Sequence, residues 1–389
     1  MSLDIHELHI ELSSHCNAAC PGCTRNISGG KTKNNLVLAQ VSLEQFTNWF
    51  PEEISSKVNT WVLCGTSGDP ATCKDLIEIV DYIRETSPNS TIHVNTNGGV
   101  RNADFWYELG KRFSKDKFGQ IVFSIDGLED TNHIYRRNVR WEKLWENFNS
   151  AVRSGARIIW DYLVFSHNEH QIDIAKDICD KLGVHLEIKK PLGFENTEKY
   201  PVYDKEGNFE YFIRKPSEKY SHTFNYNEGE SFSDKIDLKQ TEERFEHDKE
   251  VFAGNLPETP EFKKRYDTPK EYIDEMDSRL IEPKCFKVNG SRTFYVNSTG
   301  DLFPCCWMDA ALKNNYERID QYQIKKWHME QIKTACINLN QETFLNIING
   351  SYYKNLFQSW QKTTCSDGKL FVCTSACGKH NSIDQIYSS

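Results

Sequence analysis

"LHIELSSHCNAACPGCT", residues 8–24, opens with a β-type run and then sets Cys16, Cys20 and Cys23 in the spacing C-x3-C-x2-C. One loop carrying thiols at that spacing can wrap a cubic iron–sulfur cluster, yet it is one ligand short of the four thiolates a [4Fe–4S] centre normally has. The shortfall is informative, because an iron without a protein ligand can bind a substrate directly, as a catalytic zinc keeps an open position. Zinc is the competing metal. Apart from His15, which reads as a neighbour of the site or an exposed side chain, no fourth ligand stands close by.

Working outward, residues 7–190 alternate β-type runs with helical periodicity. The runs are "LHIEL" (8–12), "WVLC" (61–64), "IHVNT" (92–96), "IVFSI" (121–125), "RIIWDYLVF" (157–165) and "HLEIK" (185–189). Ser42 and Gln45 form a capping box, after which Leu43, Phe46 and Phe50 share one helical face. Similar faces follow: Leu76, Val80 and Ile83; Trp141, Leu144, Trp145, Phe148 and Val152; Ile172, Ala175, Cys179 and Leu182. Strand–helix–strand repetition demands right-handed crossovers and a parallel sheet. Six strands suit a curved, partly closed barrel with helices outside; a flat doubly wound sheet is the alternative. A parallel barrel works at the C-terminal ends of its strands, and there the sequence puts the cysteine triplet, "CGTSGDP", "NTNGG" and "SIDG".

The chain of 389 residues exceeds the usual single-domain size. Residues 1–190 read as the barrel. Residues 191–283, polar and aromatic but short of aliphatic side chains, read as an insertion or linker, and 284–389 as a cysteine-rich α+β region that opens with a hairpin turning at Ser298–Gly300. A net charge of -9 argues against nucleic acid as the main partner. No apolar run approaches a membrane span and "MSLDIHELHI" lacks signal-peptide features, so a cytoplasmic protein without membrane contact is expected. In that reducing compartment 13 cysteines read as metal ligands and buried small residues rather than disulfides. Cys64, Cys73, Cys179 and Cys336 have no partner at ligand spacing and are expected to be small buried hydrophobes.

The triplet after the first strand, with the barrel rhythm of residues 7–190, resembles the radical S-adenosylmethionine (SAM) enzymes. The resemblance implies a partial (β/α)6 TIM-like barrel and a [4Fe–4S] cluster on Cys16, Cys20 and Cys23 whose open iron chelates SAM. It also implies reductive cleavage to a 5′-deoxyadenosyl radical that takes hydrogen from a substrate. A flavodoxin- or ferredoxin-type reductant would then be needed. The family often has an aromatic residue before the third cysteine; here Gly22 stands there, so cluster shielding must be arranged otherwise. "SGDP" sits where the family's Gly-Gly-Glu-Pro stretch runs, with Asp69 in place of Glu, and the resemblance implies SAM contacts at Ser67, Gly68 and Asp69, with a strand-to-helix turn capped by Asp69 as the plainer reading. Ser124, then Asp126, match the fourth-strand SAM segment. Arg136 or Arg137 matches the family's arginine and could fork onto the SAM carboxylate, a surface charge being the other reading. Asn95 and Asn97 could reach SAM or substrate, or simply form a turn. His167 and His170 have too little context to assign.

Cys285, Gly300, Cys305, Cys365, Cys373 and Cys377 resemble the SPASM/twitch extension of that family. The resemblance implies one auxiliary [4Fe–4S] cluster on Cys285, Cys305, Cys373 and Cys377, with Cys365 as the competing ligand and Cys306 beside the site. A zinc knob is the alternative. Together these features imply an enzyme abstracting hydrogen from a peptide or small-molecule substrate, as a maturase or dehydrogenase. The reading from another class is a non-catalytic metal-binding interaction protein with structural zinc or iron–sulfur sites.

Overall fold

The computed structural model describes residues 3–113, 118–191, 194, 198–221, 269–281, 292–313 and 319–380. Expectations for Cys285 and for residues 222–268 lie outside the described residues. Six strands, β1 (Ile5–Ile10), β2 (Val58–Leu63), β3 (Thr91–Thr96), β4 (Gly119–Ser124), β5 (Ile158–Leu163) and β6 (His185–Lys189), run parallel and pair in chain order. A doubly wound sheet reverses its strand order at a switch point; this one does not, and the partial barrel is the fold.

Three of the crossover helices pack on one face. Trp61, Phe123 and Trp160 share that face and pack on Phe46, Trp106 and Phe148 of the helices Leu43–Trp49, Ala103–Lys111 and Trp141–Arg153. All six rings are fully buried, and aromatic pairs of this kind supply much of a core's area. The capping box at Ser42 is present, its hydroxyl accepting from the Gln45 N–H at 3.1 Å. The helix Ala103–Lys111, absent from the sequence expectations, starts at Asn102, whose side chain accepts from the Phe105 N–H at 3.0 Å. Its buried positions, Trp106, Leu109 and Gly110, combine one aromatic ring, one aliphatic side chain and a glycine, which blurs the helical stripe.

On the other face stand His9, His93, Asn95, Gln120, Ser124, Asp161, Glu187 and Lys189, the alternate residues of the same strands. Parallel sheets are usually apolar on both sides. This polar face is therefore the lining of a concavity rather than a packed layer.

The sheet does not close on itself. After the short strand β9 (Arg279–Ile281), β10 (Arg292–Val296) pairs in parallel with the free edge of β1 and antiparallel with β11 (Leu302–Phe303). The turn between them falls at Asn297–Gly300, where the Gly300 N–H donates to the Asn297 carbonyl at 3.0 Å and Gly300 takes φ +93°. That left-handed conformation strains any residue with a Cβ. A second hairpin, β7 (Lys199–Tyr203) with β8 (Phe209–Arg214), lies against the cysteine loop, its Tyr203 N–H donating to the Ser28 carbonyl at 3.1 Å.

Candidate functional site

Three loops meet where β1, β2 and β3 end. The loop after β1 carries Cys16, Cys20 and Cys23; the loop after β2 carries Ser67, Gly68 and Asp69; Asn97 follows β3. They touch through backbone. The Asp69 N–H donates to the His15 carbonyl at 2.9 Å, and a Cβ on Gly68 would stand 1.8 Å from the Ser13 carbonyl oxygen. Only glycine permits that approach. Arg25, buried, donates to the carbonyls of both Ser14 and Ser67 and so ties the first loop to the second.

Each thiol receives an N–H. The Ala18 amide and Asn97 Nδ2 donate to Cys16 Sγ at 3.4 and 3.5 Å, the Arg25 amide to Cys23 Sγ at 3.5 Å, and Arg136 to Cys20 Sγ at 3.7 Å. Burial lifts all three thiols, Cys20 to about 11 despite Arg136, and for Cys16 the Asp69 carboxylate and the neighbouring thiols push the same way. Sulfurs so placed become thiolates when positive charge joins them, and directed N–H groups then stabilise them. The residues fit an iron–sulfur cube. Among the described residues no three His, Cys, Asp or Glu side chains converge on a single ion; a cube does not need that, since each thiolate takes a separate iron.

The other residues expected at this site divide into those that face it and those that brace it. Ser124 stands on the concave face at the end of β4. Asp69 is fully committed: it accepts from Ala71, Asn97 and Thr96 at 2.8–3.1 Å and caps the turn, in keeping with the plainer reading. Asp126, with no exposed side-chain surface, accepts from the Leu163 N–H at 2.7 Å and pairs with Arg136 at 2.5 Å, which directs that guanidinium toward Cys20. Arg137 instead pairs with Glu210 and Tyr211 on β8. Arg136 thus sits beside the thiols and Arg137 does not.

Besides Arg25, three groups at the site are absent from the sequence expectations. Glu11, buried just after β1, accepts from the Ser67 N–H at 2.7 Å; a carboxylate set between Ile10 and Leu12 is the signal that could have found it. Asp161, facing Ser124 across β4 and β5, pairs with Lys189 at 2.7 Å, and burial lifts its carboxyl to about 6. Tyr135 and Tyr200 cover Gly22, where a Cβ would lie 2.8 Å and 3.7 Å from their hydroxyls, so long-range aromatic side chains occupy the space an adjacent one would take.

A second set of thiols gathers elsewhere. Cys305, Cys373 and Cys377 line one pocket with Ile281, Pro304, Met308, Trp360, Val372 and Ala376. Cys365 is absent from that lining: it packs with Met276 and Phe371, and its N–H donates to Asp277 at 2.6 Å. Cys306 begins the helix Cys306–Lys313, and its charge environment is set by Asp309 and Glu7 rather than by the pocket thiols. Of the four cysteines expected to be small buried groups, Cys73 and Cys179 are buried; Cys64 is half-buried and Cys336 is exposed, its thiol near Gln341, because the loop after the helix Ile319–Gln331 runs over the surface.

A parallel partial barrel that gathers three thiols and a glycine loop at its strand ends, with a second thiol pocket further along the chain, is the architecture of an iron–sulfur barrel protein. Residues 10–178 match the model of the radical SAM superfamily, and residues 285–378 that of the iron-sulfur cluster-binding domain known as SPASM. The chain therefore joins a radical SAM domain to a C-terminal SPASM domain. The first implies a [4Fe–4S] cluster and SAM, the second auxiliary iron–sulfur binding. Among curated proteins it is 27% identical over 155 residues to the GTP 3′,8-cyclase of Shewanella denitrificans, covering 39% of this chain and 42% of that one. It is 24% identical over 172 residues to that of Klebsiella pneumoniae, covering 43% and 49%. The matched part thus spans less than half the length of these relatives. Among solved structures, anSMEcpe with bound AdoMet aligns over 92% of this chain and 81% of that one, at 15% identity and TM-score 0.50, a likeness of fold alone. Streptococcus suis SuiB bound to S-adenosylmethionine aligns over 78% and 61%, at 14% identity and TM-score 0.44. No helix among the described residues is long and apolar enough to cross a membrane.

Proposed function

We propose that this protein is a radical SAM enzyme that abstracts hydrogen from a peptide or a donor-rich small molecule, with Cys16, Cys20 and Cys23 holding the catalytic cluster. The observation that carries the reading is the meeting of three loops in which every thiol has an N–H donor and Gly68 brings the second loop against the first. When bound, the cluster and SAM supply a 5′-deoxyadenosyl radical on receipt of an electron from a flavodoxin- or ferredoxin-type reductant. The chain's own residues do the rest. Ser67 and Gly68 present backbone to the cosubstrate, Asp69 and Asp126 hold Asn97 and Arg136 in place, and Tyr135 and Tyr200 keep water from the cysteine loop. Cys305, Cys373 and Cys377, with Cys285, would hold one auxiliary cluster, and the pocket that Cys305, Cys373 and Cys377 line supports their inclusion over that of Cys365.

The concave face favours one substrate class over another. Lys189 is held between Asp161 at 2.7 Å and Glu187 at 3.4 Å, so its charge is already answered. Asn95 Oδ1 and Asp161 Oδ1 are buried acceptors with no hydrogen-bond partner among the described residues. Such a surface asks for N–H, O–H or ammonium groups and offers little to a triphosphate, which supports an amine, hydroxyl or peptide substrate over the GTP used by the cyclase relatives. The test is anaerobic: reconstituted protein given dithionite and SAM is expected to release 5′-deoxyadenosine, and GTP is expected to leave that release unchanged. Protein that carries zinc alone and releases none would establish the interaction-protein reading instead.

A further inference from the structure

We infer that Lys313 is a positioning residue for the SAM loop, through which the C-terminal region sets the affinity of the barrel for its cosubstrate. The inference rests on the reading of Ser67–Asp69 as the loop that meets SAM. It starts from Glu11, whose side chain has no exposed surface. One carboxylate oxygen of Glu11 accepts from the Ser67 N–H at 2.7 Å and lies 3.1 Å from Thr66 Oγ1; the other accepts from Ser298 Oγ at 3.0 Å and from Lys313 Nζ at 3.5 Å. Lys313 Nζ also donates to Asp309 at 2.8 Å, and Asp309 in turn lies 3.1 Å from Thr66 Oγ1 and from Asn297 Nδ2. Tyr295 Oη completes the group, 2.9 Å from Thr66 Oγ1.

Two carboxylates, both buried, and one partly buried ammonium therefore share a pocket in which two atoms of the SAM loop, the Ser67 amide and the Thr66 hydroxyl, are direct partners. Burial lifts Asp309, and Lys313 works against that lift. Without the ammonium, two like charges would face one another out of water, and the cheapest relief is to protonate one or to part them. Either change falls on Thr66 and Ser67, because Glu11 is fixed at the end of β1 and they are on a loop. The arrangement is also a link between sites. The helix Cys306–Lys313 begins next to Cys305, which lines the second thiol pocket, and ends at the residue that neutralises Glu11.

The experiment compares wild type, Lys313→Met and Lys313→Arg, each reconstituted anaerobically. Equilibrium binding of SAM is measured, together with the Michaelis constant for SAM and the maximal turnover when dithionite drives its cleavage. Lys313→Met is expected to weaken SAM binding about tenfold and raise the Michaelis constant by the same factor, with turnover at saturating SAM and the iron content unchanged; Lys313→Arg is expected to restore most of the affinity. A merely structural role would lower turnover and iron content together. If Lys313→Met fails to load its cluster, the double variant with Glu11→Gln, which removes the charge imbalance, is expected to recover cluster, folding and most of the SAM affinity; a double variant that regains its iron yet binds SAM at least about tenfold more weakly than wild type overturns the inference. So does Lys313→Met with unaltered SAM affinity. Wild type that binds no SAM at all would instead remove the underlying reading of the loop.

Discussion

Cys16, Cys20 and Cys23 reach their site along one short loop, while Cys305 comes from the end of the β10–β11 hairpin and Cys373 and Cys377 from the helix Phe371–Cys377, far along the chain. The first set is surrounded by polar groups: amides, Asn97, Arg136 and two buried aspartates, Asp69 accepting from Ala71, Thr96 and Asn97 and Asp126 accepting from Leu163 and paired with Arg136. The second is surrounded by Ile281, Met308, Trp360 and Val372. A site that must admit a charged cosubstrate needs directed dipoles, whereas a site closed by protein ligands needs chiefly to exclude water. The contrast is between a thiol site lined by polar groups and one lined by apolar groups.

The hardest blow to that contrast is Gly68→Ala. Its methyl would lie 1.8 Å from the Ser13 carbonyl oxygen and 2.7 Å from Ser14 Cα, both backbone, so the two loops must part. Complete loss of SAM cleavage is expected, with the iron of the C-terminal site retained, as counted by iron and sulfide analysis. Next comes Cys373→Ala, expected to remove about four irons and leave the first cluster's iron in place. If the iron content fell to zero, the two sites would not be independent.

Breaking the brace of the first site tests its polar character. Arg136→Leu leaves Asp126 charged with no exposed surface, and stranding one partner of a buried ion pair costs about 3–5 kcal/mol. A corresponding drop in unfolding free energy by denaturant titration is expected; an unchanged value would mean that Asp126 takes a proton at no cost. The smallest effect is that of Cys365→Ala. Its thiol packs in a minor cluster with Met276 and Phe371, so iron content should be unaltered and stability lowered by only about 1 kcal/mol. Loss of iron on this substitution would move the second site's boundary.

Much of the first site is legible in the sequence. Thiol spacing is a local property, and the six strand runs, four of the five crossover helices and the Ser42 capping box all follow from patterns within a dozen residues. Arg136 cannot be told from Arg137 that way. Adjacent residues diverge in space, and only the pairing with Asp126 on one side and Glu210 on the other separates them. The same holds for the cover over Gly22, which Tyr135 and Tyr200 bring from distant segments.

By itself, then, the sequence determined a parallel half-barrel with three thiols at the mouth and a cysteine-rich region beyond it, because spacing and periodicity are carried by neighbours along the chain. The tertiary structure alone decided that β10 completes the edge of β1, that Cys365 stands apart from Cys305, Cys373 and Cys377, and that Lys313 meets Glu11. Each of those depends on which remote surfaces come together to satisfy a sheet edge, an apolar wall or a buried charge, and no local pattern records the partner.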